Sequence, residues 1–317
     1  MASKLPAATR EGIDERETAR LEHRDDDKPP SPSSPLMCLE GEPARLLAEG
    51  SSGGTANASV SHWQVSQGAR MAVCSVDTRL GFNLTGSARS SCEWISAGRR
   101  RVHAAEPGAL YLTPPGLDFQ ASPDVDTQIL MVTLPATLMS LAFGDLGVPA
   151  SLAIELIAVQ NRQLLDLAVA LRREIALGLP NGPIYWTEIS DTLASIVARQ
   201  HASRAGAPRT TVLPNVSIRK INDLIAETMG QEIALEDLAQ AAGYSRFHFL
   251  RTFTKTLGMT PSRYIMHRRV RAAVSMAKAT RLSLASIACA TGFADQSHLS
   301  RWCRKVYGFR LSEVRPH

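Results

Sequence analysis

At roughly 100 to 200 residues per domain, a chain of 317 residues is long enough for two domains. Its 44% hydrophobic and 21% charged residues exclude a collagenous, disulfide-dense or wholly disordered polymer. The net charge of +5 is unevenly spread: residues 215–317 hold 16 Lys and Arg against 7 Asp and Glu, a balance of +9, while residues 1–214 hold 19 against 23, a balance of −4. A cation excess confined to one segment, beside an acidic remainder, is the footprint expected of a nucleic-acid-binding domain joined to a domain of another kind.

Residues 1–35 run from mixed charge through Asp25-Asp26-Asp27 into Pro29-Pro30-Ser31-Pro32-Ser33-Ser34-Pro35, with almost nothing to bury, and are expected to form a disordered leader. The first thirty residues lack the apolar core of a secretion signal, and no stretch approaches the roughly 20 apolar residues of a membrane span, so a cytoplasmic chain is expected. Gly50-Ser51-Ser52-Gly53-Gly54 reads as a loop. From about Val60 to Leu134, short apolar segments (Arg70 to Val76, Leu80 to Leu84, Cys92 to Ile95, Ala109 to Thr113, Ile129 to Leu134) alternate with turn signals such as Pro107-Gly108 and Pro114-Pro115-Gly116. That spacing predicts a small antiparallel barrel or sandwich. Ile154, Ile157, Leu164, Leu167, Ala168, Leu171 and Ile175 then mark one helical face; beyond Pro180-Asn181-Gly182-Pro183, a second is marked by Ile189, Leu193, Ile196 and Val197. This helical hairpin either caps the strands or pairs with a second subunit. Residues 203–214, with Gly206, Pro208 and Pro214, read as a linker.

Residues 217–308 are helical by every local signal. In Leu235-Glu236-Asp237-Leu238-Ala239-Gln240-Ala241-Ala242-Gly243-Tyr244-Ser245, small Ala239 lets another helix approach, Gly243 suits a positive-φ turn, and Ser245 is placed to cap the next helix. This grammar recurs 49 residues later from Leu284 to Phe293, with Ala288 and Gly292 matching Ala239 and Gly243. Past the second turn the offset is 50, pairing His248 with His298, Phe249 with Leu299, Arg251 with Arg301, Leu257 with Tyr307 and Gly258 with Gly308. A duplicated helix-turn-helix unit joined by a long helix from about Ser262 to Ala279 places two recognition helices in successive major-groove segments if they stand about 34 Å apart.

Over about 215–310 the chain resembles the AraC/XylS transcriptional regulators. The resemblance is carried by Leu238-Ala239-x-x-Ala242-Gly243-x-Ser245, Arg251-x-Phe253 with Gly258, Thr260-Pro261-Ser262 with Tyr264, Arg269-x-x-x-Ala273, and Ile287-Ala288-x-x-x-Gly292-Phe293-x-Asp295-Gln296-Ser297-His298-x-Ser300-Arg301. It departs at Cys303, where the family usually has Phe, and at Gly308-Phe309-Arg310-Leu311-Ser312, where it usually has Gly-x-Thr-Pro-Ser; neighbouring Trp302 is expected to fill the gap left by Cys303. The resemblance implies an α+β chain: a cupin-like β-barrel with a helical pair for sensing and dimerisation over 36–202, a linker over 203–214, and an all-α DNA-binding domain over 215–317 with two helix-turn-helix units. It implies a transcription regulator, an activator among its expected roles, whose partners are double-stranded DNA, a small-molecule effector of unknown identity, RNA polymerase and a second copy of the chain.

Side-chain chemistry assigns the contacts. Arg251 and Arg301 can grip guanine in a fork, Gln296 can grip adenine, and Ser297 and Ser300 make less selective contacts; Arg246 and Leu250 occupy the matching exposed turn of the first unit. Arg251 as a phosphate contact and Leu250 as half-buried packing stay open. Lys255, Arg304 and Lys305 lie farther along and suit phosphates. His248 and His298 suit packing or phosphate contact better than metal ligation. For an effector, Arg89, Trp94, Arg99 and His103 are candidate pocket residues, although Arg99-Arg100-Arg101 also fits a solvated hairpin tip. His62 and His103 stand on separate segments, unlike the close ligand set of a metal-binding cupin, so neither metal, cofactor nor catalytic residue is expected. Two rivals are a cupin-type enzyme with an accessory DNA-binding domain and an Ada-type alkyl acceptor. The latter needs an activated thiol and a four-cysteine zinc site, which Cys38, Cys74, Cys92, Cys289 and Cys303 are not spaced to supply.

Overall fold

The computed structural model describes residues 37–41, 44–73, 76–87, 89–150, 155–204 and 213–314. The leader expected over 1–35, Cys74 and most of the linker expected over 203–214 lie outside the described residues.

The strands form two antiparallel sheets. One has the order β1 (Met37–Glu40), β4 (Arg70–Val73), β9 (Phe119–Pro123), β6 (Ser91–Ser96), β7 (Arg99–Ala104). The other has the order β11 (Leu156–Gln160), β8 (Ala109–Thr113), β5 (Thr78–Asn83), β10 (Thr127–Leu134), β3 (Ser59–Val65), β2 (Arg45–Ser51). Among the described residues no hydrogen-bonded ladder joins the two sheets, so the expected closed barrel gives way to an open pair of facing sheets. The period-2 alternation of the central strands explains the layering. Leu80, Phe82, Leu110, Leu112, Leu130 and Val132 point to one side, into a core shared with helices. Arg79, Gly81, Asn83, Tyr111, Thr113, Ile129 and Met131 point to the other, toward the five-stranded sheet.

Among the elements that the sequence reading did not name, three have a clear physical reason. Strand β2 covers 45–51 and so takes in the start of the expected Gly-Ser loop. Ile157, expected on a helix, lies in β11, where Leu156 and Val159 pair with Leu112 and Leu110 of β8; a helix begins only at Arg162, with Asn161 Oδ1 accepting from Leu164 N at 3.0 Å. Helix α1 (Ala136–Asp145) gives no periodic signal in the sequence because it is buried almost all round, from Leu138 to Gly144, and so has no polar face to set a helical period.

Helices α2 (Arg162–Ala176) and α3 (Gly182–Arg204) form the expected hairpin on the six-stranded sheet, α3 running two residues beyond the expected boundary at 202. Leu164, Ala168 and Leu171 are 0% exposed in the same core as Leu80, Phe82, Trp186 and Leu193. Of the two uses open to the hairpin, covering the sheet accounts for this stripe.

The C-terminal residues are helical, as expected: α4 (Asn215–Glu227), α5 (Leu235–Ala242), α6 (Arg246–Leu257), α7 (Pro261–Ala279), α8 (Leu284–Ala290), α9 (Gln296–Tyr307) and a 3-10 turn at Leu311–Val314. They hold two cores, one around Ile218, Ile221, Phe249, Phe253 and Tyr264, the other around Val270, Ala277, Ile287, Leu299, Tyr307 and Phe309, with α7 serving both. Cys303 is fully buried in the second, where half-buried Trp302 and stacked Tyr307 and Phe309 (centroids 5.7 Å apart) supply the bulk that a Phe would have brought.

Both cores admit a residue from the N-terminal half: Leu141 of α1 enters the first and Ala56, from the loop after β2, the second. Polar contacts follow the same seam. Asn222 Nδ2 donates to Gly144 O at 2.6 Å, Asp145 pairs with Arg268 and Arg271, Arg271 also reaches Asp191 at 3.0 Å, and Lys278 reaches Glu188 at 2.6 Å. Burial opposes the Arg271 charge, but Asp191, Tyr307 and Asp145 more than offset it and hold the pKa above the ordinary arginine value. Among the described residues no helix is long and apolar enough to cross a membrane.

Candidate nucleic-acid interface

The offset of 50 is exact in three dimensions: α6 and α9 have twelve residues each and both end in a left-handed glycine, Gly258 at φ 71° and Gly308 at φ 79°. The turns before them rest on Gly243 (φ 80°) and Gly292 (φ 74°), a region open to glycine without strain. The extra residue of the second turn falls after its glycine: Phe293, Ala294 and Asp295 lead into α9 where Tyr244 and Ser245 lead into α6, and Thr291, the counterpart of Ala242, caps α8. Arg269, from the Arg-x-x-x-Ala motif, clamps that turn by donating to Gly292 O at 2.9 Å and to Gln231 O. Asp295 caps α9 through His298 N at 2.7 Å, whereas Ser245 holds the equivalent place before α6 without a side-chain cap bond.

Alternation of buried and exposed residues fixes the outward faces. Phe249, Phe253 and Leu257 of α6 and Leu299, Cys303 and Tyr307 of α9 are buried. Arg246, Leu250, Arg251 and Lys255 are exposed on α6; Gln296, Ser297, Arg301, Arg304 and Lys305 are exposed on α9, where Ser300 is half-buried. Two cations carry a contact of their own: Arg246 pairs with Glu236 at 3.0 Å, and Lys305 Nζ lies 5.7 Å from the Trp302 ring centre. Phe247 is a residue that sequence reasoning missed. It is 81% exposed, and the repeat offset sets it opposite Ser297, a signal that was there to be used. His248 stacks on Tyr244 with centroids 4.9 Å apart, and His298 meets the Phe293 ring edge-on at 5.4 Å.

Between the sheets lies a cavity lined by Met71, Cys92, Trp94, Phe119 and Ala121 on one side and by Arg79, Gly81, Asn83, Tyr111, Thr113 and Met131 on the other. Trp94 stacks between Phe119 (3.9 Å) and Tyr111 (5.2 Å). Of the four candidate effector residues only Trp94 lines it. His103 stands behind the wall with Nε2 3.1 Å from Tyr111 Oη, its pKa lowered by burial and by Arg101, while Arg89 and Arg99 are exposed on the outside. Arg79, 3% exposed, was not singled out; an arginine in an apolar alternation looks like a surface residue until the second sheet is known. Burial pushes the Cys92 thiol up to about 11 and the Cys303 thiol to about 12, away from the thiolate that an alkyl acceptor needs. His62 bonds Gln128, and among the described residues no three His, Cys, Asp or Glu stand together as a metal site.

A helix-turn-helix domain model matches residues 238–317. An uncharacterised HTH-type transcriptional regulator, YbfI of Bacillus subtilis, is 31% identical over 86 residues, 27% of this chain and 31% of its own length. The HTH-type transcriptional activator AarP of Providencia stuartii is 30% identical over 95 residues, 28% of this chain and 70% of its own. The XylDLEGF operon transcriptional activator of Pseudomonas putida is 25% identical over 261 residues, 77% of this chain and 78% of its own. The match spans 31% and 43% of the length of two of the curated relatives, so it is shorter than those proteins. Among solved structures, an apo form of ToxT from Vibrio cholerae aligns over 82% of this chain and 97% of its own at 13% identity, with a TM-score of 0.33.

Proposed function

Because the chain belongs to the AraC/XylS family, we propose that it is a sequence-specific DNA-binding transcriptional regulator, with α5–α6 and α8–α9 as two helix-turn-helix units and the sheets with their helix pair as a cupin-like sensing domain. One observation carries this reading: the outward residues of α6 and α9 fall at the same positions of a duplicated unit, in the segment that carries the +9 balance. Arg246, Leu250, Arg251, Gln296, Ser297, Ser300 and Arg301 read base edges, and Lys255, Arg304 and Lys305 meet phosphates. Phe247 joins the first group as an apolar partner for a thymine methyl.

The effector site in this reading is the cavity between the sheets. It has aromatic walls with a few convergent polar groups, the composition usual for small-molecule sites, and Arg79 gives it a fixed positive charge. A homodimer and a contact with RNA polymerase belong to the same proposal, as does a cytoplasmic location; pairing two copies raises affinity for paired sites through effective concentration.

The test is a pair of variants of the full chain. Arg301→Ala is expected to relax base preference in one element of the bound site, at a cost of about 1 to 3 kcal/mol, while Lys305→Ala weakens all sequences alike and lowers the salt slope by about 0.9. An unchanged preferred sequence in Arg301→Ala removes that residue from base reading, and a chain that selects no duplex from a random pool ends the regulator reading.

A further inference from the structure

The ends of α6 and α9 are not finished by the helices themselves. The last four carbonyls of any helix lack intrahelical partners, and Gly258 and Gly308 satisfy only Thr254 O and Arg304 O. At α9, Thr55 N donates to Lys305 O (3.0 Å), Ala56 N to Val306 O (2.9 Å) and Asn57 Nδ2 to Tyr307 O (3.0 Å). At α6, Ala150 N donates to Thr256 O at 2.8 Å. Thr256 and Val306 are the same position of the duplicated unit, fifty residues apart. One N-terminal half therefore holds both recognition helices by the same carbonyl.

The fit at α9 leaves no slack. Gly54 has φ +82°, and a Cβ there would stand 2.4 Å from Val306 O; at Gly308 a Cβ would stand 2.5 Å from Ser52 O. Asn57, 3% exposed, spreads its amide over Ser52 Oγ, Gly53 O and Tyr307 O, tying the loop to itself and to the helix at once. On its far side the loop is rooted in α3, with Ser190 Oγ accepting from Ala58 N (3.1 Å) and Trp186 Nε1 donating to Ala58 O (2.9 Å). Helix α1, five residues before Ala150, packs in the same core as α3 through Leu138, Ala142 and Phe143. The two grips thus share a foundation.

We propose that Asn57, with the loop backbone at 54–56 and at Ala150, positions the two recognition helices for DNA, fixing their separation and angle from outside the DNA-binding domain. The inference rests on the DNA-binding reading above. Each base pair inserted between two elements moves the second by about 3.4 Å along the duplex and turns it by roughly 35°, a displacement a rigid pair of helices cannot follow and a loosened pair can.

The experiment uses the full chain. A two-element duplex is selected by the wild type from a random pool, then its spacing is changed by one or two base pairs in each direction, and each element is also offered alone. The wild type is expected to prefer one spacing by about tenfold or more. Asn57→Asp, nearly isosteric but unable to donate to Tyr307 O, and Gly54→Val are each expected to flatten that preference to within about threefold, with affinity for either single element unchanged within about twofold. Where Gly54→Val fails to fold, Asn57→Asp carries the test. Variants that keep the sharp spacing preference overturn the inference, because α7 alone then sets the spacing. Folded variants that lose single-element binding also overturn it, since the contact is then merely structural. A wild type that selects duplexes but ignores spacing overturns it while leaving the regulator reading intact; one that selects no duplex ends both.

Discussion

Replacing Leu164 and Leu171 together by lysine is expected to abolish cooperative folding of the N-terminal half. Each side chain is 0% exposed, against the six-stranded sheet and α3. Losing a buried leucine costs about 2 to 5 kcal/mol in packing alone, and each ammonium adds a desolvation penalty, against a total stability of roughly 5 to 15 kcal/mol. Leu177→Lys on the same hairpin, at a site 71% exposed, serves as control and should stay within about 0.5 kcal/mol of the parent. Circular dichroism and urea denaturation read the result. A double variant that sediments as a folded monomer would show that this stripe is a seam between subunits and that the core tolerates its loss.

Arg271→Gln is the second large effect. Removing one partner of a fully buried ion pair costs about 3 to 5 kcal/mol; with Arg271 and Asp191 side chains 28% and 32% exposed, water relieves part of that, and about 2 to 3 kcal/mol is expected. The pH dependence has a definite sign. Burial raises the Asp191 pKa above its ordinary value while Arg271 pulls it down. A carboxyl with a raised folded-state pKa favours the fold at low pH and loses that contribution as pH rises through the folded value. Without Arg271 the folded value climbs further, so the deficit of the variant should be small near the ordinary carboxylate range and full at neutral pH. Denaturant midpoints at pH 4 and pH 7 check this, and an equal deficit at both would mean that the Asp191 carboxylate is not what the guanidinium supports.

The C-terminal half was legible because its signals are local. Gly243 and Gly292 mark turns, the 49 and 50 offsets align two units, and the stripe through Ile218, Ile221 and Ile225 has a helical period. Both sides of the cavity wall were partly legible, since the alternation around Tyr111 and Trp94 appears in the sequence, but which face met a second sheet did not. Trp94 is therefore legible as a pocket residue in the sequence, and Arg79 is not. Helix α1 carries no periodic polar face, and Ile157 reads equally well in a strand or a helix until β8 is there to pair with it. The contacts of residues 52–58 with α9 span 250 residues of chain, and no local pattern encodes a partner that distant. The Gly-Ser composition that made this stretch look like a slack loop is what lets two backbones touch: a side chain at Gly54 would run into the backbone of Val306 and Tyr307, and one at Gly308 into the backbone of Ser52 and Gly53.

That mutual fit limits how genes of this kind can be recombined. A chimera that joins the C-terminal half to another sensor at the linker separates α9 from residues 52–57, leaving the carbonyls of Lys305, Val306 and Tyr307 short of their donors and the place of Ala56 in the second core empty. Where the new sensor covers those carbonyls without offering donors, each costs roughly 1 to 3 kcal/mol. The unit that can be inherited intact is therefore not the continuous C-terminal segment but that segment together with one short loop near the other end of the chain, so functional exchanges should succeed chiefly between lineages in which both pieces still match.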